Sequence, residues 1–415
     1  MTEPIYRSRP GAFDLRPASQ GEATQVTDFI WLSEGMSNSY LVVTPAGRVV
    51  INTGLGFEAP VHRRNFDAVD GGPIRYILLT QGHVDHVGGV DLFREPGTAV
   101  IAQENNRACQ EDDARIHAFR VRHSAPFFPT AVGKAERSRH VQARPEPTLT
   151  FKDRYDFELG GVRFELIATP GGETVDSMCV WLPRHRVAFV GNVFSALFGH
   201  FPNLVTLRGD RYRFALPFIE SVDRVLALEP ELLLTGHFAP VRGAEVIRAE
   251  LSRVRDAVRY VHDATVQGMN DGKDVFTLMR EIQLPAHLDV GQGYGCVSWS
   301  VRAIWEGYAG WFHQRSTTEL YPSLPSDVYP DVVELAGGAA AVAERAQRRL
   351  AGGAPVAAIH LAEIALAAEP ASRPALEAYL AAHERLLEEG GGINFWETGW
   401  LRYQIERTRQ KLAEL

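Results

Sequence analysis

Apolar residues in the first half of the chain come as short continuous runs, not as alternating positions. Tyr40-Leu41-Val42-Val43, Arg48-Val49-Val50-Ile51, Tyr76-Ile77-Leu78-Leu79, Ala99-Val100-Ile101-Ala102 and Val187-Ala188-Phe189-Val190 are bounded by Gly, Asn, Asp or Pro. Runs of this length and bounding predict strands buried on both faces, with helices covering the sheets. Residues 218–228 read as one such helix. From Ala244 the period changes. Residues 246–266 carry Val254, Val258 and Val261 at helical spacing, and residues 331–389 are rich in Ala, Leu, Glu and Arg, broken by Gly and Pro. Residues 357–368 and 374–387 read as a helical hairpin similar to one tetratricopeptide-type repeat. Residues 294–312 are dense in aromatics, Trp299, Trp305, Tyr308 and Trp311 among them, a spacing that suits a core or a subunit interface. The pattern predicts an α/β domain over residues 1–245 and an all-α helical domain over 246–415.

Composition narrows the function classes. Of 415 residues, 45% are hydrophobic and 23% charged, which excludes wholesale disorder, and the length calls for two to three domains. A net charge of −8 offers no basic excess to neutralise a phosphate backbone, so no nucleic-acid partner is expected. Three dispersed cysteines, Cys109, Cys179 and Cys296, form neither a disulfide framework nor a CxxC metal pair. The first residues lack a charged-then-apolar leader, and no apolar run reaches the roughly 20 residues of a membrane span. A cytoplasmic protein acting on a small molecule is expected. The Arg/His-rich stretch 115–144 reads as an excursion over the core, or a lid, with its charges on a solvated face.

One stretch carries chemistry. Thr80-Gln81-Gly82-His83-Val84-Asp85-His86-Val87-Gly88-Gly89 follows a buried strand and places two imidazoles and a carboxylate within four residues. That donor set suits a divalent metal. No Gly-x-Ser-x-Gly elbow and no phosphate-cradling loop before a Lys is present, which disfavours serine nucleophile and nucleotide chemistry.

The stretch resembles the Thr-His-x-His-x-Asp-His motif of the metallo-β-lactamase superfamily. The resemblance continues in order through Ile51-Asn52-Thr53-Gly54, Thr169-Pro170-Gly171-Gly172-Glu173, Val190-Gly191-Asn192 and Leu234-Thr235-Gly236-His237, over roughly residues 25 to 245. Asn203-Leu204-Val205-Thr206-Leu207-Arg208-Gly209 and a Glu at 173 are similar to the alkylsulfatase branch. Tyr294-Gly295-Cys296-Val297-Ser298-Trp299-Ser300-Val301-Arg302-Ala303 and Gly310-Trp311-Phe312 look like that branch's dimerisation domain. The resemblance implies an αββα sandwich followed by a helical domain that pairs subunits into a homodimer. The branch's longer members add a sterol-carrier-like domain, which is not expected here.

The resemblance also implies site roles. Gln81, His83 and Glu173 would serve a first metal, Asp85, His86 and His237 a second, with Asn192 between them. Zinc is the first choice, one or two ions, with iron or manganese as alternatives. Asn203 and Arg208 would bind an anionic group, and Arg208 and Asp85 would act in catalysis. Phe194, Phe198, Phe201 and Trp299 read either as the lining of a substrate pocket, with Trp299 touching substrate, or as ordinary core. Three positions depart from the pattern: Gln81 stands for the first motif histidine, Asn192 for the bridging carboxylate, and Trp299 for a histidine that handles the leaving group. An amide is a weaker zinc ligand than imidazole, so the second site is expected to survive best. The implied activity is hydrolysis of an ester-type bond, an alkyl sulfate first. A carboxylic ester, lactone, thioester or phosphate ester hydrolase, a diiron redox enzyme and a catalytically impaired binding protein remain open at this point.

Overall fold

The computed structural model describes residues 3–19, 21–128 and 142–415. Two sheets form the first part. One has seven strands in sequence order: β1 (Thr24–Gln25), β2 (Ile30–Ser33), β3 (Ser39–Thr44), β4 (Gly47–Ile51), β5 (Ile74–Leu78), β6 (Ala99–Gln103) and β7 (Leu149–Phe151). The other has six: β8 (Arg154–Leu159), β9 (Val162–Ala168), β10 (Met178–Leu182), β11 (Val187–Gly191), β12 (Leu232–Thr235) and β13 (Val241–Arg242), again in unbroken order. Strands β4 to β7 run parallel, as do β11 and β12.

Successive side chains of a strand point to opposite faces, and here both faces are buried. Tyr40, Val42, Val49, Ile51 and Leu78 meet Phe164, Leu166, Val180 and Phe189 between the sheets. Their neighbours Leu41, Val50, Ile77 and Val100 face outward and pack on Ala59 and Phe66 of the helix Ala59–Val69. On the far side, Trp181, Ala188, Val190 and Leu233 pack on Phe218, Ile219 and Val222 of the helix Ala215–Leu226. The fold is an αββα sandwich, and the double burial explains why the strands read as continuous apolar runs. Each large apolar side chain so buried contributes about 1.5–3 kcal/mol relative to exposure.

The compact units divide at Tyr308 and Ala309, not at the composition change near 245. The reason is the apolar stripe of the helix Ala244–Asn270. Its Ile247, Leu251, Val254, Val258 and Val261 belong to the same buried cluster as Trp181 and Phe218. A helix that closes a sheet's outer face belongs with that sheet. The shorter helices Val275–Glu281 and Val297–Ala309 add Leu278, Val301 and Ile304 to this cluster.

The second unit is helical: Tyr329–Leu335, Ala339–Ala351, Pro355–Ala368, Arg373–Glu389 and Phe395–Ala413. Its core is built from alanines. Ala346, Ala358, Ala362, Ala378 and Ala382 pack together, and small side chains let the helices approach closely. Ala358 and Ala362 against Ala378 and Ala382 form the expected helical hairpin. No described helix is long and apolar enough to cross a membrane.

Candidate active site

The motif residues collect where strands end. Asn52 follows β4, Thr80 to His86 follow β5, Glu173 lies between β9 and β10, Asn192 follows β11 and His237 follows β12. Strand ends of parallel pairs supply this position because the chain must turn there and leave the sheet. Thr80 locks the arrangement. Its carbonyl accepts from Met178 N at 2.9 Å, and its N–H donates to Asn52 Oδ1 at 2.9 Å. Asn52 adopts a left-handed backbone, φ 58°, a conformation asparagine tolerates. At the end of β11 Gly191 has φ 49°, and a Cβ there would stand 2.3 Å from Thr80 Oγ1.

Gln81, His83 and Glu173 meet. Gln81 Nε2 donates to Glu173 Oε2 at 2.7 Å and lies 3.0 Å from His83 Nδ1. The other Glu173 oxygen, Oε1, pairs with Arg213 Nη1 at 3.1 Å. His83 Nε2 lies 3.3 Å from Asp210 Oδ2, which Arg213 also reaches at 3.4 Å. Burial alone would raise the Glu173 carboxyl, but Arg213, His83 and Gln81 hold it well below the usual carboxylate range. Burial alone would lower His83, and Asp210 and Glu173 outweigh it to raise the imidazole. Asp210 is likewise depressed against its burial, by His83, Arg213 and Arg208. The carboxylates of Glu173 and Asp210 are balanced here by the Arg213 guanidinium and the His83 imidazole.

Asp85, His86 and His237 form a second group. Asp85 Oδ2 lies 3.4 Å from His86 Nε2 and 3.9 Å from His237 Nε2. Burial would raise Asp85, and the surrounding histidines His86, His237 and His83 bring it below its ordinary value. His237 Nδ1 donates to Met36 O at 2.6 Å, which leaves its Nε2 as a lone pair facing Asp85. Met36 is held in turn by Glu58, whose Oε1 accepts from Met36 N and from Ala18 N, both at 2.7 Å. His86 Nδ1 lies 2.9 Å from Asn52 Nδ2 and 3.5 Å from Ser37 Oγ. Asn192 Oδ1 is buried without a hydrogen-bond partner among the described residues.

A metal centre is the implied cofactor, and the donors do not fit a two-ion one. The carboxylate of Glu173 is taken on both oxygens, by Gln81 and by Arg213. His86 receives an amide N–H on Nδ1, which puts its own hydrogen on Nε2, the atom a cation would need. Among the described residues no three His, Cys, Asp or Glu side chains are arranged to hold a metal ion.

A cavity of about 240 Å³ opens over the second group. Asp85, His237, Asn192, Arg120, Arg208 and Tyr294 give it polar walls, and Leu55, Phe57, Val121 and Phe128 apolar ones. A neighbouring cavity of about 800 Å³ shares His83, Arg120 and Glu173 with it and is walled by Ile116, Phe119 and Phe214. Arg120 and Arg208 both approach Asp210, at 3.7 and 3.8 Å.

Several expectations change. Arg120 belongs to the stretch read as a solvated face, yet it is 8% exposed and lines both cavities. Burial lowers its pKa to about 10, so the guanidinium stays charged at neutral pH. Residues 129–141 of that stretch lie outside the described residues. Phe194, Phe198 and Phe201 are core residues beneath the second sheet and do not line the cavity. Trp299 is half-buried and is absent from its lining, where Tyr294 stands instead. Asn203 is buried, and its carbonyl accepts from Arg213. Arg120, Arg213 and Asp210 carried no motif that marked them, although Arg213 lies just past the Asn-Leu-x-Thr-Leu-Arg-Gly stretch, and Tyr294 stood only in the stretch that resembles a dimerisation domain.

Comparison with known proteins agrees with this fold. Residues 32–237 match the metallo-beta-lactamase superfamily model, and residues 277–394 match the alkyl sulfatase dimerisation model. A linear primary-alkylsulfatase of Pseudomonas sp. (strain ATCC 19151) is 27% identical over 322 residues, 72% of this chain and 60% of the relative. An (R)-specific secondary-alkylsulfatase of Pseudomonas sp. is 24% identical over 343 residues, 76% of this chain and 51% of the relative. The solved stereoselective inverting sec-alkylsulfatase from Pseudomonas sp. superposes with a TM-score of 0.80 at 20% identity, covering 94% of this chain and 66% of that one. The chain thus spans about half to two thirds of the length of these proteins.

Proposed function

We propose, for a chain that carries a metallo-β-lactamase superfamily domain followed by an alkyl sulfatase dimerisation domain, that it hydrolyses anionic esters, alkyl sulfates first. The observation that carries this reading is the placement of Arg208 and Arg120 beside Asp85 and His237 in an apolar-walled cavity. Two guanidiniums match the oxygens of a sulfate group, and Leu55, Phe57 and Phe128 offer the apolar surface an alkyl chain needs. The alkylsulfatase relatives support the same substrate class.

The reaction needs a water made nucleophilic and an oxygen leaving group given a proton. The Nε2 lone pair of His237 and the Asp85 carboxylate, 3.9 Å apart, are close enough for one water to donate to both. His237 takes the water's proton as the ester centre is attacked, and its imidazolium returns a proton to the leaving oxygen. Ester and water give alcohol and hydrogen sulfate. Arg208 and Arg120 hold the anion and offset the charge that gathers on its oxygens. Asp85, kept ionised by its histidine neighbours, stabilises the imidazolium. Zinc, the metal implied by the superfamily, takes no step here, because no three His, Cys, Asp or Glu side chains among the described residues are arranged to hold even one ion. Subunit pairing through the helical C-terminal region is part of the proposal and rests on the match at residues 277–394.

The test is sulfate release from a medium-chain alkyl sulfate, compared with a carboxylic ester, a lactone, a thioester and a phosphate ester of the same chain. The sulfate ester is expected to be turned over fastest. Arg208→Ala is expected to lower its kcat/KM by roughly 10²-fold while leaving a neutral lactone nearly unaffected. Faster turnover of the neutral esters, with no effect of Arg208→Ala, would reject the sulfatase reading.

A further inference from the structure

The orientation of one buried amide decides what His86 can do. Asn52 Oδ1 lies 2.9 Å from the backbone N of Thr80, and a backbone N–H can only donate. That contact fixes which end of the amide is oxygen. Asn52 Nδ2 therefore faces His86 Nδ1 at 2.9 Å, and an amide NH₂ can only donate. Nδ1 of His86 must then accept. The ring is fully buried, and the hydrogen of the neutral imidazole sits on Nε2, which makes no hydrogen bond among the described residues and lies 3.4 Å from Asp85 Oδ2.

A cation at this position needs the Nε2 lone pair. Giving it up would move the hydrogen to Nδ1, directly against the Asn52 NH₂. Rotating the Asn52 amide only transfers the conflict to the Thr80 N–H. Either arrangement leaves two buried donors facing each other, which lowers ion affinity by roughly 10- to 100-fold.

The neighbouring group reaches the same end by a different route. Glu173 is the one carboxylate among Gln81, His83 and Glu173, and both its oxygens are engaged, Oε2 by the Gln81 amide at 2.7 Å and Oε1 by Arg213 at 3.1 Å. Arg213 is 9% exposed and also reaches Asp210 and the Asn203 carbonyl. It supplies fixed positive charge where a bound ion would otherwise supply it. A divalent ion would have to displace a guanidinium that already has three acceptors.

From these two hydrogen-bond patterns we infer that this centre is a metal-independent one: Asn52 sets the hydrogen of His86 on Nε2, the atom on the side of Asp85, and Arg213 takes the place of a cation beside Glu173. Asn52 is thus a positioning residue, acting through the tautomer of His86. The inference concerns the cavity of the hydrolase proposal, but its readouts are metal content and tautomer, so the two can fail separately.

The experiment uses the full-length protein, dialysed against chelator and then titrated with zinc alone. Bound ion is read by calorimetry and elemental analysis, and the His86 tautomer by long-range ¹H–¹⁵N correlation on histidine-labelled protein. The wild type is expected to show the Nε2–H tautomer and no stoichiometric zinc at micromolar concentration. Asn52→Asp turns the donor into an acceptor for both Thr80 N–H and a His86 Nδ1–H. This variant is expected to show the opposite tautomer and at least a 10-fold gain in zinc affinity. An Nδ1–H tautomer in the wild type overturns the inference, and so does zinc binding by the wild type as tight as by Asn52→Asp. The tautomer measurement on the wild type stands even if the variant fails to fold.

Discussion

Glu58 shows how a residue outside the cavity can govern it. Its side chain is 1% exposed, and its Oε1 accepts from Met36 N, while Met36 O holds the Nδ1–H of His237. Burial pushes the Glu58 carboxyl up to about 7, against the backbone hydrogen bonds of Met36 and Ala18 that pull it down. The unfolded chain holds that proton near 4.5. A raised folded pKa means that the contribution of Glu58 to stability is greatest below 4.5 and is lost as pH rises to about 7, about 3 kcal/mol in all. Glu58→Gln keeps the acceptor oxygen and removes the titration, so the urea midpoint of the variant relative to the wild type is expected to rise between pH 4.5 and 7, with the background of the buried His62 and His200 common to both. His237→Ala removes the proposed proton acceptor and is expected to lower kcat by about 10²- to 10⁴-fold with little change in KM, read by steady-state kinetics. At this scale the sequence was legible where residues cluster: Gln81, His83, Asp85 and His86 stand out by density, and Glu173 and His237 by order along the chain. Arg120, Arg213 and Asp210 were not legible, because a lone charge carries no pattern and its partner is chosen only when distant segments close on one another.

At the scale of elements, the site depends on how tightly the strand ends abut. Gly191 closes β11 with φ 49°, and a Cβ there would meet Thr80 Oγ1 at 2.3 Å. Gly236 closes β12, and a Cβ there would meet Asn192 Oδ1 at 2.1 Å. Gly191→Ala is expected to cost about 2–4 kcal/mol in denaturant unfolding, from a strained backbone and a displaced Thr80 together. Because Thr80 also bonds Asn52, the same variant is expected to broaden the His86 resonances. The strands themselves were readable because both faces are buried, so that apolar runs are unbroken. The helix Ala244–Asn270 was readable as a helix but not as a member of the first unit. Its stripe of Ile247, Leu251, Val254, Val258 and Val261 shows that it packs on something, and only the folded chain shows that the partner is the second sheet. The cavity's apolar wall stayed open in the sequence for a related cause. Phe194, Phe198 and Phe201 look the same in sequence whether they line a pocket or fill a core, and here they fill the core.

On the scale of the whole molecule, the chain comprises a sandwich unit with the chemistry and an alanine-cored helical unit. The helical unit leaves large apolar side chains outside: Trp311 is 71% exposed, Leu324 67% and Leu335 88%. Exposed apolar surface of this kind marks an association face, in keeping with the proposed homodimer. Sedimentation velocity at micromolar concentration is expected to show a dimer, and Trp311→Glu combined with Leu335→Glu to shift it toward monomer. The proposed chemistry has guanidinium, imidazole and carboxylate groups hydrolyse an anionic ester with no metal ion. The most direct measurement is sulfate release from a medium-chain alkyl sulfate by protein dialysed against chelator and verified metal-free. The account predicts turnover equal to that of the untreated protein and unchanged by added zinc. Turnover that vanishes on chelation and returns with zinc would contradict it.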